Sequence, residues 1–205
     1  KLPIWNEEFL VKRVRELRNL GAKRVFFKTG PFDPMDLTKI LKIASKAEVD
    51  MVTFDGAGGG SGNSPSKMMN EWGIPTIVME SLLHTILKKM SKKGYDLPQV
   101  AVAGGIVMED QVFKVLALGA PFINMVGIGR GAMTAATVGK QVEELLKEGK
   151  VPKEFQKFGS TKEELFQDIR ELKLYYDNPE DISGGAIGLF SYLNRVKVGI
   201  QQFMA

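Results

Sequence analysis

A short apolar run, a glycine-bearing turn and a helical stretch follow one another four times between Arg24 and Leu146. No single motif constrains the fold as much as this alternation. Strands separated by helices pair in parallel through right-handed crossovers, so the chain is expected to be α/β. The runs Arg24–Lys28, Val49–Phe54, Val100–Val102 and Phe122–Val126 are short and apolar, as in strands buried on both faces.

Helical spacing predicts the elements between them. Asn6 is placed to cap a helix whose apolar positions are Phe9, Leu10, Val14 and Leu17, with Gly21 as its stop. Further helices are expected over Asp36–Lys46, over Ser81–Lys92 ending at Gly94, over Glu109–Leu118 closed by Gly119, and over Met133–Leu146. Ser64-Pro65 opens another helical segment, and Ile74–Met79 reads as a strand or as the lead-in to a helix. A (β/α)8 barrel takes eight strands and about 250 residues. Four units in 205 residues amount to half of one. Four parallel strands alone would leave two open edges. The missing half would come from residues before Lys1, from a separate subunit, or from a second copy of the chain. The expected division is therefore a half-barrel over residues 1–146 and a helical C-terminal extension over 147–205.

In that extension Ser160 is expected to cap a helix, with Glu163 completing a capping box. Leu165, Ile169, Leu172 and Leu174 supply its apolar side, and Asp177-Asn178-Pro179 breaks it. Gly184-Gly185 reads as a ligand turn or as a helix connector.

Composition removes several chemistries. With no cysteine, the chain offers no disulfide, no cysteine zinc site, no cysteine nucleophile and no ligands for an iron–sulfur cluster. Its one histidine, His84, lies in an ordinary amphipathic pattern and reads as structural, so no metal site is expected. The net charge of +4 is spread along helical faces, which argues against nucleic acid. No apolar run approaches the ~20 residues of a membrane span. A cytoplasmic protein is expected.

Candidate site residues cluster after the strands, where parallel β/α proteins bind ligands. Val52–Phe54 leads into D-G-A-G-G-G-S-G-N-S-P, with five glycines within positions 56–62. Such crowding permits close backbone approach to an anion or a flat ligand; the alternative is a flexible loop. Ala103-Gly104-Gly105-Ile106 and Gly127-Ile128-Gly129-Arg130 form two later turns, where Arg130 would offer a fixed fork of donors to a phosphate. The alternative is tight turns that happen to use glycine. Lys28, at the end of the first run, would point into the same mouth or stand solvated. Asp55 would accept from a ligand or cap the glycine loop.

These residues resemble a known family. The Asp55–Pro65 loop is similar to the D-G-x-x-G-G-T-G-A-x-P loop of the FMN-binding domain of glutamate synthases and their smaller relatives. A-G-G-I followed by V-F-K-V-L-A-L-G-A, G-I-G-R-G and V-F-F-K match further segments of FMN-binding barrels, over about Arg24 to Leu146. The four units correspond to the second half of the flavin barrel. The resemblance implies FMN as cofactor. Lys28 would approach the pyrimidine side of the flavin ring, with Asp55 at the head of the loop. Gly59, Gly60, Ser61 and Gly62 would lie along the ring or ribityl chain, and Gly104, Gly105, Gly129 and Arg130 would hold the phosphate.

The implied reaction is reductive formation of glutamate from an imine of 2-oxoglutarate. Three departures stand out. The cysteine-rich loop is replaced by G-A-M-T-A-A-T-V-G-K, Ala103 stands where aspartate is usual, and Asn63 stands where alanine is common. They favour an FMN-dependent oxidoreductase without an in-chain iron–sulfur cluster, using another donor or acceptor. No catalytic residue is assigned. The alternatives are a non-redox phosphate-binding β/α enzyme and a non-catalytic subunit that completes a barrel with a partner.

Overall fold

The computed structural model describes residues 6–30, 33–60, 66–67, 71–166, 168–176, 178 and 181–205. The chain forms two compact units, Lys1–Ile106 with Gln111–Gly127, and Val107–Asp110 with Ile128–Ala205.

The elements run α1 (Glu7–Asn19), β1 (Phe26–Thr29), α2 (Pro34–Lys46), β2 (Met51–Asp55), α3 (Thr76–Lys92), β3 (Gln99–Ala103), α4 (Glu109–Gly119) and β4 (Ile123–Gly127). All four strands are parallel and lie in chain order, β1-β2-β3-β4. This α/β architecture is consistent with part of a β/α barrel. The register aligns Lys28 with Thr53, Asp55 with Ala103, and Ala103 with Gly127. The strand ends that precede the glycine turns are therefore level across β2, β3 and β4.

The core of this unit gathers Val52, Phe54, Val100 and Val102 with Leu37, Leu41, Met79, Leu83 and Leu87 from the helices. Burial on both faces holds for the middle of β3 only, where Val100, Ala101 and Val102 are all buried. In β2, buried Val52 and Phe54 alternate with half-buried Met51, Thr53 and Asp55. Phe26 in β1 is 50% exposed. The second face of β1 and β2 is thus only half covered among the described residues.

Helix starts follow their caps. Asn6 accepts from the Phe9 amide at 2.9 Å. α2 begins at Pro34, earlier than Asp36, because Asp33 accepts from the Met35 amide at 2.6 Å and proline suits the first helical turn. Ile74–Met79 turns out to be both of its readings. The Ala57 amide donates to the Ile74 carbonyl, and Pro75 forms an isolated parallel bridge with Ala57. The helix then starts at Thr76 rather than Ser81. His84 packs edge-on against Phe122, with ring centroids 5.6 Å apart.

α2 ends in a left-handed residue, Glu48 at φ 54°, whose amide donates to Ser45 while the Val49 amide donates to Ala44. α1 and α3 use Gly21 and Gly94 for the same turn. A side chain costs about 1 kcal/mol in that conformation. Glu48→Gly is therefore expected to raise unfolding stability by about 1 kcal/mol in urea denaturation. A loss of stability would show that the Glu48 side chain contributes more than its backbone strain removes.

At the amino ends of β1, β2 and β3 a cleft of about 520 Å³ is lined by Arg18, Arg24, Phe26 and Asp50 among others. Asp50 accepts from the Val25 amide at 2.6 Å and from Arg18 at 3.1 Å. Those bonds, the Val25 amide first, hold its carboxyl below the ordinary carboxylate range.

The second unit comprises α5 (Arg130–Lys147), α6 (Lys153–Gln156), α7 (Lys162–Leu165), α8 (Ile169–Leu172) and α9 (Gly184–Met204). Its core is Phe166, Ile169, Leu172 and Ile187, backed by Val142, Leu146, Ile182 and Phe190. The capping box sits one residue later than Ser160 and Glu163. Thr161 caps α7, and Glu164 accepts from the Ser160 and Thr161 amides at 2.9 and 3.1 Å. The expected single helix is two short ones, α7 and α8, with Phe166 between them. Gly184-Gly185 is the first turn of α9, and it packs on α5. A Cβ built at Gly139 would lie 2.2 Å from the Gly184 carbonyl oxygen and 3.2 Å from Gly188 Cα. Glu143 accepts from the Gly184 amide at 2.9 Å and pairs with Lys162 at 3.1 Å. The Gly184 amide is the main reason its carboxyl titrates below the usual range.

Candidate functional site

The site is built where β1, β2 and β3 end. Lys28 and Asp55 come from neighbouring strands and form an ion pair, Nζ to Oδ2, at 2.8 Å. The Asp55 side chain is 10% exposed and that of Lys28 52% exposed. The carboxylate is thus fixed within the fold, and the ammonium is held by it at the surface of the strand end.

Asp55 also shapes the loop that follows it. The Gly59 amide donates to the Gly56 carbonyl at 2.9 Å, closing a turn over the Asp55 side chain. A Cβ at Gly59 would stand 3.0 Å from Asp55 Cβ, Cγ and Oδ1. Gly60 has φ 113°, a left-handed conformation that favours glycine. Ser61 and Gly62, with Asn63, Ser64 and Pro65, lie outside the described residues.

The second turn meets the first at Thr76. The Gly56 amide donates to the Ala103 carbonyl at 2.8 Å. The Thr76 hydroxyl donates to the Gly104 carbonyl at 2.8 Å. A Cβ at Gly56 would fall 2.4 Å from Thr76 Oγ1 and 2.6 Å from Thr76 Cα, and one at Gly104 would fall 2.8 Å from the Gly56 carbonyl oxygen. Backbone and side chain of this protein already occupy the space beside Gly56 and Gly104. Gly105 differs, because at φ 72° a Cβ there would meet nothing within 4 Å. The space beside Gly105 is open.

Gly127 ends β4 against Ala103, where a Cβ would come within 2.9 Å of Ala103 Cβ. In the second unit Gly129 occupies the cap position of α5 and Arg130 is its first residue. A Cβ at Gly129 would also meet nothing within 4 Å.

Two residues of this region escaped the sequence reading. Thr76 directly follows a proline at a helix head, a position whose hydroxyl is free to bond outside the helix. Glu80, one turn further on, interrupts the apolar stripe Met79, Leu83 and Leu87. It is 1% exposed, and neither carboxylate oxygen has a hydrogen-bond partner among the described residues. A Cβ at Gly119 would come within 3.1 Å of Glu80 Oε1. Burial without a partner pushes the Glu80 carboxyl up to about 7. Its signal in the sequence was a charge on the core face of an amphipathic helix.

Among the described residues no group of three or more His, Cys, Asp or Glu is placed to hold a metal ion. Nor is any described helix long and apolar enough to cross a membrane.

A family model described as "Conserved region in glutamate synthase" matches residues 2–142. The chain is similar to the glutamate synthase large subunit-like protein YerD of Bacillus subtilis, at 29% identity over 122 residues, which is 58% of this chain and 22% of that protein. It is also similar to an archaeal-type glutamate synthase (NADPH) of Dehalococcoides mccartyi, at 33% identity over 91 residues, or 44% of this chain and 17% of that protein. The matched stretch thus spans about a fifth of either relative's length. The family match takes in all four strands and the turns that follow them, and the chain belongs to the glutamate synthase family, an oxidoreductase-related family.

Proposed function

We propose that this chain contributes the cofactor-binding half of an FMN-dependent oxidoreductase of glutamate synthase-like type. The observation that carries the reading is the Lys28–Asp55 pair at the mouth of two interlocked glycine turns, with open space beside Gly105. Those residues fit the group: a cation at a strand end, a glycine loop that lets a flat ring approach, and a left-handed glycine with room beside it. FMN, when bound, supplies hydride transfer.

Lys28 acts as a point charge toward the electron-rich edge of the ring, and Asp55 holds that ammonium in place. Gly59, Gly60, Ser61 and Gly62 keep their place along the ring and ribityl chain through the resemblance alone. Gly105 offers its N–H to the phosphate, and Gly104 keeps the phosphate role through the resemblance alone. Gly129 and Arg130 keep the phosphate role through the resemblance alone. The substrate class is a small 2-oxo acid or amino acid of the 2-oxoglutarate or glutamate kind. The electron donor needs no cysteine-held cluster within these 205 residues. The reading has the four-stranded sheet completed to a barrel by strands beyond this chain, in the same protein, a separate subunit or a second copy, in the cytoplasm.

The test is the visible spectrum of the whole protein that carries this chain, with and without added FMN. Flavin absorbance and quenched FMN fluorescence are expected. Lys28→Ala is expected to weaken FMN binding about tenfold, the scale of one charge-assisted contact. A colourless protein that takes up no FMN would overturn the reading. Binding of sugar phosphates in place of FMN would favour the non-redox alternative.

A further inference from the structure

The Thr76 hydroxyl lies between carbonyl groups of two different turns. It is 2.8 Å from Gly104 O and 3.4 Å from Ala57 O. A hydroxyl has one proton to donate, and the shorter contact takes it. Thr76 is anchored as the first residue of a 17-residue helix, so its own position is fixed by that helix. The Gly104 carbonyl and the Gly105 N–H belong to one planar, trans peptide unit. Fixing the carbonyl toward Thr76 therefore turns the Gly105 N–H the opposite way. Beside that N–H is the left-handed glycine around which a Cβ would meet nothing.

We propose that Thr76 is a positioning residue that aims the Gly105 amide at an anionic ligand group, the phosphate of FMN. The proposal rests on the FMN reading above. It goes beyond it by assigning the phosphate geometry to a side chain outside all the glycine turns. Gly56 is small because Thr76 occupies the space beside it, Gly104 because the Gly56 backbone and the Thr76 hydroxyl do, and Gly105 is the glycine that meets the ligand.

Comparing FMN with riboflavin, which lacks the phosphate, isolates this role. Dissociation constants for both are measured by fluorescence quenching on the whole protein, as wild type, Thr76→Val and Thr76→Ser. Thr76→Val keeps the shape and removes the donor. It is expected to weaken FMN about tenfold, one hydrogen bond's worth, and to leave riboflavin unchanged. Thr76→Ser keeps the donor and is expected to stay within about twofold of wild type for both flavins. Equal weakening of FMN and riboflavin in Thr76→Val would overturn the proposal, since the residue would then serve the fold alone. So would unchanged FMN binding in Thr76→Val, or Thr76→Ser binding as weakly as Thr76→Val.

Should wild type bind neither flavin, the FMN reading falls, and inorganic phosphate decides the role of Thr76 by itself. Phosphate is expected to slow amide hydrogen exchange at Gly105 in wild type and not in Thr76→Val. No slowing in wild type, or equal slowing in both, would overturn the role.

Discussion

Above pH 8 the Glu80→Gln protein is expected to be more stable than wild type by about 3 kcal/mol, and near pH 5 the difference is expected to shrink below about 1 kcal/mol. The sign follows from the direction of the shift. The Glu80 carboxyl titrates at about 7 in the folded chain, against 4.5 for an unperturbed glutamate. Between those values the folded protein holds a proton that the unfolded chain has released. Stability therefore falls as pH rises through that window. The contribution is fully present below 4.5 and fully lost above about 7. The span between the two values corresponds to about 3 kcal/mol.

The cause is burial. The side chain is 1% exposed, and neither oxygen has a partner among the described residues to repay an ionised form. Glutamine is neutral at every pH and leaves a similar shape, so its stability curve should be flat across the window. Urea denaturation at pH 5, 7 and 8.5 checks this. Parallel curves for wild type and variant would mean that Glu80 is solvated or paired when charged.

The second large effect belongs to the helix pair of the second unit. Gly139→Ala is expected to destabilise that unit by about 3 kcal/mol, even though alanine is the better helix former by about 1 kcal/mol. The new methyl would lie 2.2 Å from the Gly184 carbonyl oxygen, an atom of backbone that no rotamer change can move aside. Relief requires α5 and α9 to separate, which draws Val142 and Leu146 of α5 away from the core that holds Ile187. Thr134→Ala, on the exposed side of α5, serves as the control and should change stability by no more than about 0.5 kcal/mol. Thermal unfolding followed by circular dichroism, with amide exchange in α9, measures both. A Gly139→Ala protein with undiminished protection in α9 would show that the two helices do not meet through these glycines.

Sequence carried the architecture because the architecture rests on local rules. Strand–turn–helix alternation predicts a parallel sheet. Apolar spacing located α1, α2 and α4 within two residues but set the starts of α3 and α5 three to five residues late, and Gly21 and Gly94 marked two of the helix ends. Boundaries slipped where caps decide them, as at Asp33 and Thr161. There one hydrogen bond chooses among adjacent residues of similar propensity. Burial of both faces of β1 and β2 could not be read, because apolar residues in a strand do not specify how many layers cover it.

In the candidate site the glycine turns and Lys28 were visible as types at spacings. Their reasons were not. A run of glycines is equally compatible with an approaching ligand and with an approaching Thr76, and only coordinates separate Gly104 from Gly105. Glu80 was visible as an anomaly in an apolar stripe. The missing knowledge was that no cation or donor among the described residues bonds to it.

The contact among Gly56, Thr76 and Gly104 also bears on how such a chain can change through descent. Each of the three occupies the space that a larger neighbour would need. A side chain gained at position 56 would meet the backbone and hydroxyl of Thr76, and one gained at 104 would meet the Gly56 backbone as well, at a φ of 119° that itself favours glycine. Gly56 and Thr76 lie in one β/α unit and Gly104 in the next, yet they are inherited as one character. Relatives that keep this crossing of backbones should keep both glycines whatever residue stands at 76.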